Sequence, residues 1–449
     1  MGSPSSASLA LALPEILVAI FDCLDSPALT AAMRASKKWF TCASDVLWRR
    51  AGCEALAAVP EQRRQIYASK ITLLAFSGDE DAAYHARFQH LRFSSLKHIS
   101  LDAYRPSDGS YHIRQYFQPP LESFSFYGGD LDHDLLQQLR AKSWRLRRIL
   151  IDSPGAAVQP DFFATFLAEY TSLEHMVFLH GMDHLITDDL MLHLADRPSL
   201  SSLMIGKTCS AELLQRISTQ VLQPFRALRN LQLTVPSSAV PTLVRLATQL
   251  NRLELTVQDA DATVVGRLAS LTTLRELSLS FSAATELPKH EILSLKKLTQ
   301  LEELTVGPDE AEDKAEVTAF QSSFSDTDFD ELVSQLRSLR RIRFMIQSNL
   351  SVLSLASLAK HCPLLEMCTM PQVFDMSPLS GDDRAKFSFP NLHYLDLGGL
   401  ERPPSENPSS QELASAMKTA FPKLGEFYVS SDDDYSNDVA DAFTASDAS

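Results

Sequence analysis

Glycine is scarce in this chain, at fifteen in 449 residues. None of them stands in a glycine-rich phosphate loop or a GxSxG elbow, so phosphate cradling by backbone and presentation of a nucleophilic serine have no candidate. Cysteine is equally sparse: the six, at positions 23, 42, 53, 209, 362 and 368, stand singly with no CxxC pair. That pattern suits reduced thiols of an intracellular protein better than a disulfide framework. Cys362 and Cys368 flank a repeat strand, have no charged partner to make a nucleophile and read as core thiols. No run of about 20 apolar residues exists, so no membrane span is expected. The opening MGSPSSAS has no basic segment ahead of a hydrophobic one, so no secretory leader is expected either, which leaves the cytoplasm or nucleus.

Basic charge is also missing. The formal net charge is −15, but it is local: nine acids and one lysine lie between Asp309 and Glu331, and six aspartates without a base lie between Asp432 and Ser449. The rest of the chain is almost neutral and has no basic stripe to neutralise phosphates, which argues against nucleic-acid binding. His180 and His184 in HGMDH stand four apart without a third ligand at a metal-site spacing, so neither a metal nor any other cofactor is expected. Without a catalytic constellation, the chain reads as a non-enzyme.

Two patterned regions remain. In LPEILVAIFDCLDSPAL, residues Leu13, Ile16, Leu17, Ile20, Phe21 and Leu24 recur at spacings of three and four, one apolar face of a helix, and Pro14 suits its first turn. A second run carries Leu29, Met33, Trp39 and Phe40, and a third carries Val46, Leu47 and Trp48. Three short helices of this size make a core too small to be comfortable alone, so a partner covering part of the apolar set, or a role as a cap on the next domain, would account for them. The order LPEIL, IF, CL, SKKWF, ASD and LW over residues 9–52 resembles the F-box, with a mild departure at Ala35. The resemblance implies binding to a Skp-type adaptor and through it a cullin. Leu13, Pro14, Ile16, Leu17, Ile20, Phe21, Leu24 and Trp48 match the family's contact or core positions.

From residue 96 a pattern of leucine, two residues, an apolar residue, one residue and an apolar residue recurs thirteen times, beginning at positions 96, 121, 146, 173, 200, 228, 250, 274, 301, 339, 365, 392 and 424. Helix-period segments precede most copies, several opening on Ser, Thr or Asp. Each unit is therefore a strand plus a helix, and such units stack into a parallel α/β solenoid. The segment resembles the leucine-rich repeat, which implies an α/β horseshoe, but the family's asparagine after the last leucine is absent, so irregular turns are expected. The expected organisation is an F-box at 9–52, a helical cap at 53–95, a solenoid at 96–430 with an exposed acidic loop near 307–327, and a disordered acidic tail at 431–449. Ser430, Ser431 and Ser436 lie among acids and are candidate phosphorylation sites, although a solvating tail is the simpler reading.

Alternation along each strand sends one set of side chains inward and the other outward. In the early repeats the outward set reads as Tyr127, Leu150, Val177, Leu179 and Met204, an apolar docking patch. In the later repeats it includes Arg252, Glu254, Glu276, Arg341 and Arg343, a mixed-charge surface suited to selection. The two resemblances together imply a substrate receptor of an SCF-type ubiquitin ligase that tethers an unknown protein substrate for ubiquitination, of the kind found in large divergent sets in mushroom-forming fungi. A non-degradative F-box/repeat scaffold is the alternative.

Overall fold

Proline at a first helical turn, where its missing N–H costs nothing, starts the first helix, α1 (Pro14–Phe21). The Asp25 carboxylate accepts from the Ala28 N–H at 2.9 Å to start α2 (Ser26–Ala32), and the Ser36 hydroxyl accepts from the Trp39 N–H at 3.2 Å to start α3 (Lys37–Trp48). Leu17, Phe21, Leu29, Ala32, Cys42 and Ala43 form their shared core, with Trp39 edge-on to Phe21 at 5.4 Å. The computed structural model describes residues 13–77, 82–104, 112–311, 315–319, 324–402 and 408–445. The chain divides into two compact units, Met1–His193 and Leu194–Ser449.

Beyond the three helices the first unit holds a parallel sheet in the order β1 (Leu73–Phe76), β2 (His98–Tyr104), β3 (Ser123–Gly129), β4 (Arg148–Asp152) and β5 (His175–Phe178). The second holds β6 (Ser202–Thr208), β7 (Asn230–Val235), β8 (Arg252–Val257), β9 (Glu276–Phe281), β11 (Glu303–Pro308), β13 (Arg341–Phe344), β14 (Met367–Phe374), β15 (Tyr394–Leu400) and β16 (Glu426–Val429), again parallel and in that order. A separate parallel pair joins β10 (Thr285–Leu287) to β12 (Val317–Ala319). All thirteen copies of the sequence pattern become strands, an α/β solenoid of leucine-rich-repeat type. The apolar positions of the copies are buried, as at Phe124 and Phe126, Met176 and Phe178, Leu253 and Leu255, and Leu277 and Leu279, apart from the half-buried Val429 of the last copy.

One backbone device recurs at the strand starts. The Lys97 carbonyl accepts two N–H groups from the next repeat, Glu122 at 2.8 Å and Ser123 at 2.9 Å, and Glu122, Arg229, Asn251, Arg275 and Glu302 do the same for their successors. The Arg49 carbonyl, just past α3, accepts Thr72 and Leu73 in the same way at 3.0 and 3.1 Å, so the helical domain is spliced onto β1 by the joint that links the repeats. Irregularity gathers toward and beyond the strand ends, where the missing asparagine leaves the turns without a common geometry. Ser153 takes φ +48° beyond β4, and the register shifts between Met370 and Val373 where β14 meets β15. There a Cβ on Gly398 would lie 2.0 Å from the Pro371 carbonyl oxygen, so only glycine permits the approach.

Three expectations need correction. The region 53–95 is not only a helical cap, because β1 within it is the first strand of the sheet. The stretch near 307–327 is not simply an exposed loop: Val317 and Ala319 are buried in β12, Phe324 is buried beside Phe344, and a helix starts at Asp326. Acids at the start of that helix serve as caps and partners, Asp326 accepting from the Ser351 N–H at 2.9 Å and Asp328, just past the stretch, closing a capping box on Ser325. Residues 312–314 and 320–323 of it lie outside the described residues, as do 9–12 of the expected F-box, 78–81 of the expected cap, 105–111 and 403–407 of the expected solenoid and 446–449 of the expected tail. Finally, the tail is a helix at Asp434–Ala445. Val439 and Phe443 are buried, and Phe443 meets Phe427 of β16 at 5.7 Å. Ser436 is buried, its hydroxyl accepting from the Leu400 N–H at 2.9 Å and donating to the Asp433 carboxylate at 2.6 Å, which closes it to a kinase in the folded chain.

Candidate functional site

Seven of the eight apolar positions singled out in the N-terminal helices fall into two sets. Leu17 and Phe21 are 0% and 1% exposed and hold the helices together, whereas Leu13 (52%), Ile16 (37%), Ile20 (43%) and Leu24 (38%) lie open to solvent, and Pro14 is exposed with them. Their spacing of three and four keeps them on one stripe of α1 and the turn beyond it. Trp48 belongs to neither set: it stacks on Tyr67 with ring centroids 4.3 Å apart, a packing contact to the helix Glu61–Ala68. Arg49, bound to Asp22 at 2.9 Å, ties the end of α3 to the end of α1.

On the sheet of the first unit, parallel register sorts the outward side chains into rows. His98, Ser123, Arg148 and His175 form one row, and Ser100, Ser125, Leu150 and Val177 the next. Leu150 and Val177 are therefore neighbours, half-buried, with Leu179 just past β5. Tyr127 is exposed one row further along, paired in register with Asp152, whose carboxylate faces His180 at 3.2 Å. The expected apolar patch is thus narrower than the sequence suggested, and Met204 belongs to the second unit. The imidazoles of His98 and His175 are held below their ordinary pKa, chiefly by burial and then by the Arg148 guanidinium beside both.

The second unit's outward rows are different. Arg252, Glu276, Glu303 and Arg341 follow one another in register, and Arg252 bonds Glu276 at 2.9 Å while Arg341 bonds Glu303 at 2.6 Å. Arg252 also lies 3.7 Å from Glu254, and Arg343 pairs with Glu310. The arginines expected to select a partner are committed to neighbouring strands, so the mixed charge is largely self-satisfied. Past them Tyr394 and Tyr428 lie 5.5 Å apart, and burial lifts the Asp396 carboxyl above its ordinary range despite Arg343 nearby. Burial also lifts the thiols of Cys362 and Cys368 to about 12, which fits their reading as core residues.

The row His98, Ser123, Arg148 and His175 was missed by sequence reasoning. Its signal was present, since each member is the third residue of its repeat copy, the position that supplied Arg252 and Arg341 in the later repeats.

Residues 14–54 match the F-box-like family. Comparison with curated proteins gives no match. Among solved structures, an internalin (inlF) of Listeria monocytogenes is similar at 15% identity and TM-score 0.37, over 84% of this chain and 93% of its own. Rad7 in complex with Elc1 from yeast is similar at 15% identity and TM-score 0.43, over 95% of this chain and 94% of that one.

Proposed function

We propose that this chain, an F-box-like domain spliced to a leucine-rich-repeat solenoid, is a substrate receptor of an SCF-type ubiquitin ligase. The helical end binds a Skp-type adaptor and through it a cullin, and the outward sheet face binds a protein substrate. The observation that carries the reading is the solvent-facing stripe Leu13, Ile16, Ile20 and Leu24 in the segment that matches the F-box-like family. Four large aliphatic side chains on one short helix and its two ends are what a protein interface covers, and leaving them in water has no benefit to the isolated fold. The chain then contributes proximity and selection, with no reacting group of its own. Degradation of the bound protein separates this role from that of a stable scaffold.

The test is capture of a purified Skp-type adaptor by the full-length chain and by the double variant Ile16→Glu, Ile20→Glu. Both side chains are already exposed, so circular dichroism and melting temperature should be unchanged while capture falls at least about tenfold, as expected for charges placed in an apolar interface. Undiminished capture by the folded variant, or no capture by the parent chain, overturns the reading.

A further inference from the structure

Basic side chains on the sheet are mostly matched by an acid one strand away. At the residue ahead of eight strands, Lys97 pairs with Glu122, Arg147 with Glu174, Arg275 with Glu302 and Arg340 with Glu366. On the outward face of the second unit each arginine of the first row has a glutamate in register one strand away. In the first unit the corresponding row contains no acid at all. Arg148 is exposed between Ser123 and His175, and among the described residues no carboxylate pairs with it; Glu122 and Glu174, the nearest in sequence register, are held by Lys97 at 3.0 Å and Arg147 at 3.5 Å. A guanidinium is a planar fork suited to a carboxylate, and here the Ser123 hydroxyl and the His175 imidazole flank it in register, with His98 one strand further, groups that can add hydrogen bonds.

The next row supplies the second half of a site. Leu150 lies two residues along β4 from Arg148 and beside Val177 of β5. In extended chain, residues two apart are separated by about 6.6 Å on one face. A partner strand laid along β4 would therefore present side chains at the same spacing as Arg148 and Leu150.

We propose that the outward face of β3, β4 and β5 binds an acidic segment of a protein partner. An Asp or Glu carboxylate sits on Arg148 between His98 and His175, and an apolar side chain two residues away sits on Leu150 and Val177. The proposal rests on the substrate-receptor reading and gives its substrate a chemistry. Protonation adds to the site: around His98 stand Arg148, Glu122, Lys97 and Arg50, and around His175 stand Arg148 and Glu174. Charging either imidazole therefore makes the row more cationic, and a bound carboxylate would favour that form.

The experiment measures fluorescence anisotropy of short labelled Gly/Ser peptides carrying Glu-Ser-Leu, Gln-Ser-Leu or phosphoserine-Ser-Leu, titrated with the full-length chain. The expected result is binding of the Glu peptide about tenfold or more tighter than its Gln twin, the scale of one charge-assisted hydrogen-bonded pair. The preference should vanish in Arg148→Gln, persist in part in Arg148→Lys and grow between pH 7.5 and 5.5. Equal binding of the Glu and Gln peptides, binding of neither, or an undiminished preference in Arg148→Gln overturns the proposal, and tighter binding of the phosphopeptide overturns its carboxylate assignment. Adaptor capture by Arg148→Gln should match the parent chain, so failure here is distinguishable from failure of the receptor reading.

Discussion

The same strand register carries two different sets of side chains in the two units. In the first, the inner face mixes Phe76, Phe124, Phe126 and Phe178 with Leu74, Ile99, Leu101, Ile149, Ile151 and Met176, and the outward face leaves Arg148 without a carboxylate. In the second, the inner face is mostly aliphatic, with Leu231, Leu253, Leu255, Leu277 and Leu279, and the outward arginines are matched by glutamates. Backbone geometry is common to both, so it cannot be what distinguishes a surface that satisfies itself from one that is available. The distinction lies in which residue occupies the third position of each repeat, a position on which folding places few demands.

If that is right, disturbing the inner faces should hurt both units alike. Phe178→Ala should cost about 3–5 kcal/mol and Leu279→Ala about 2–5 kcal/mol, because each removes a fully buried side chain from a packed layer. Urea denaturation measures both, and a loss below about 1 kcal/mol at either site would mean that its core is not packed as described.

A smaller effect should separate the units by pH. The folded pKa of His98 and His175 lies below the ordinary 6.5, so the unfolded chain takes up protons first and stability falls as pH drops through 6.5 toward the folded values. In the second unit Asp261, held below its ordinary 3.8 by the Thr263 N–H and hydroxyl, keeps its contribution above that pH and loses it below. Amide exchange at pH 7.5 and 5.5, corrected for intrinsic rates, should show the sheet of the first unit loosening first. The reverse order would break the comparison.

The smallest effect belongs to the ion pairs. Arg341→Gln combined with Glu303→Gln should change stability by less than about 1 kcal/mol, because both partners are solvent-exposed and salt screens them. A loss above about 2 kcal/mol, persisting in high salt, would show that these rows hold the solenoid together and do not merely cancel charge.

Much of the fold was legible because the repeat pattern is a direct consequence of burial: one leucine at the turn and two alternate apolar residues in the strand. The same pattern sits at Ile71, Leu74 and Phe76, with isoleucine for the first leucine, and names β1 once substitution is allowed. The helix at Asp434–Ala445 was hidden by its aspartates, although Val439 and Phe443, four apart, mark its buried side. The N-terminal stripe was legible as a set but not as two. Leu13, Ile16, Ile20 and Leu24 are adjacent on the helix to Leu17 and Phe21, and only the packing of α2 and α3 decides which are covered. On the sheet, the sequence shows an arginine or a glutamate at each position but not its register partner, so Arg252, Arg341 and Arg343 looked free until the strands were aligned.

The carbonyl that takes two N–H groups from the following repeat gives assembly a direction. At these joints the acceptor lies in the earlier repeat and the two donors in the later one, from Arg49 of the helical domain onward. During synthesis the earlier segment leaves the ribosome first, so a newly emerged repeat in either unit meets acceptors already in place. Growth by addition to a formed edge needs no long loop closure, because each contact spans roughly one repeat. A chain built this way can fold as it is made, with the F-box-like helices as its template.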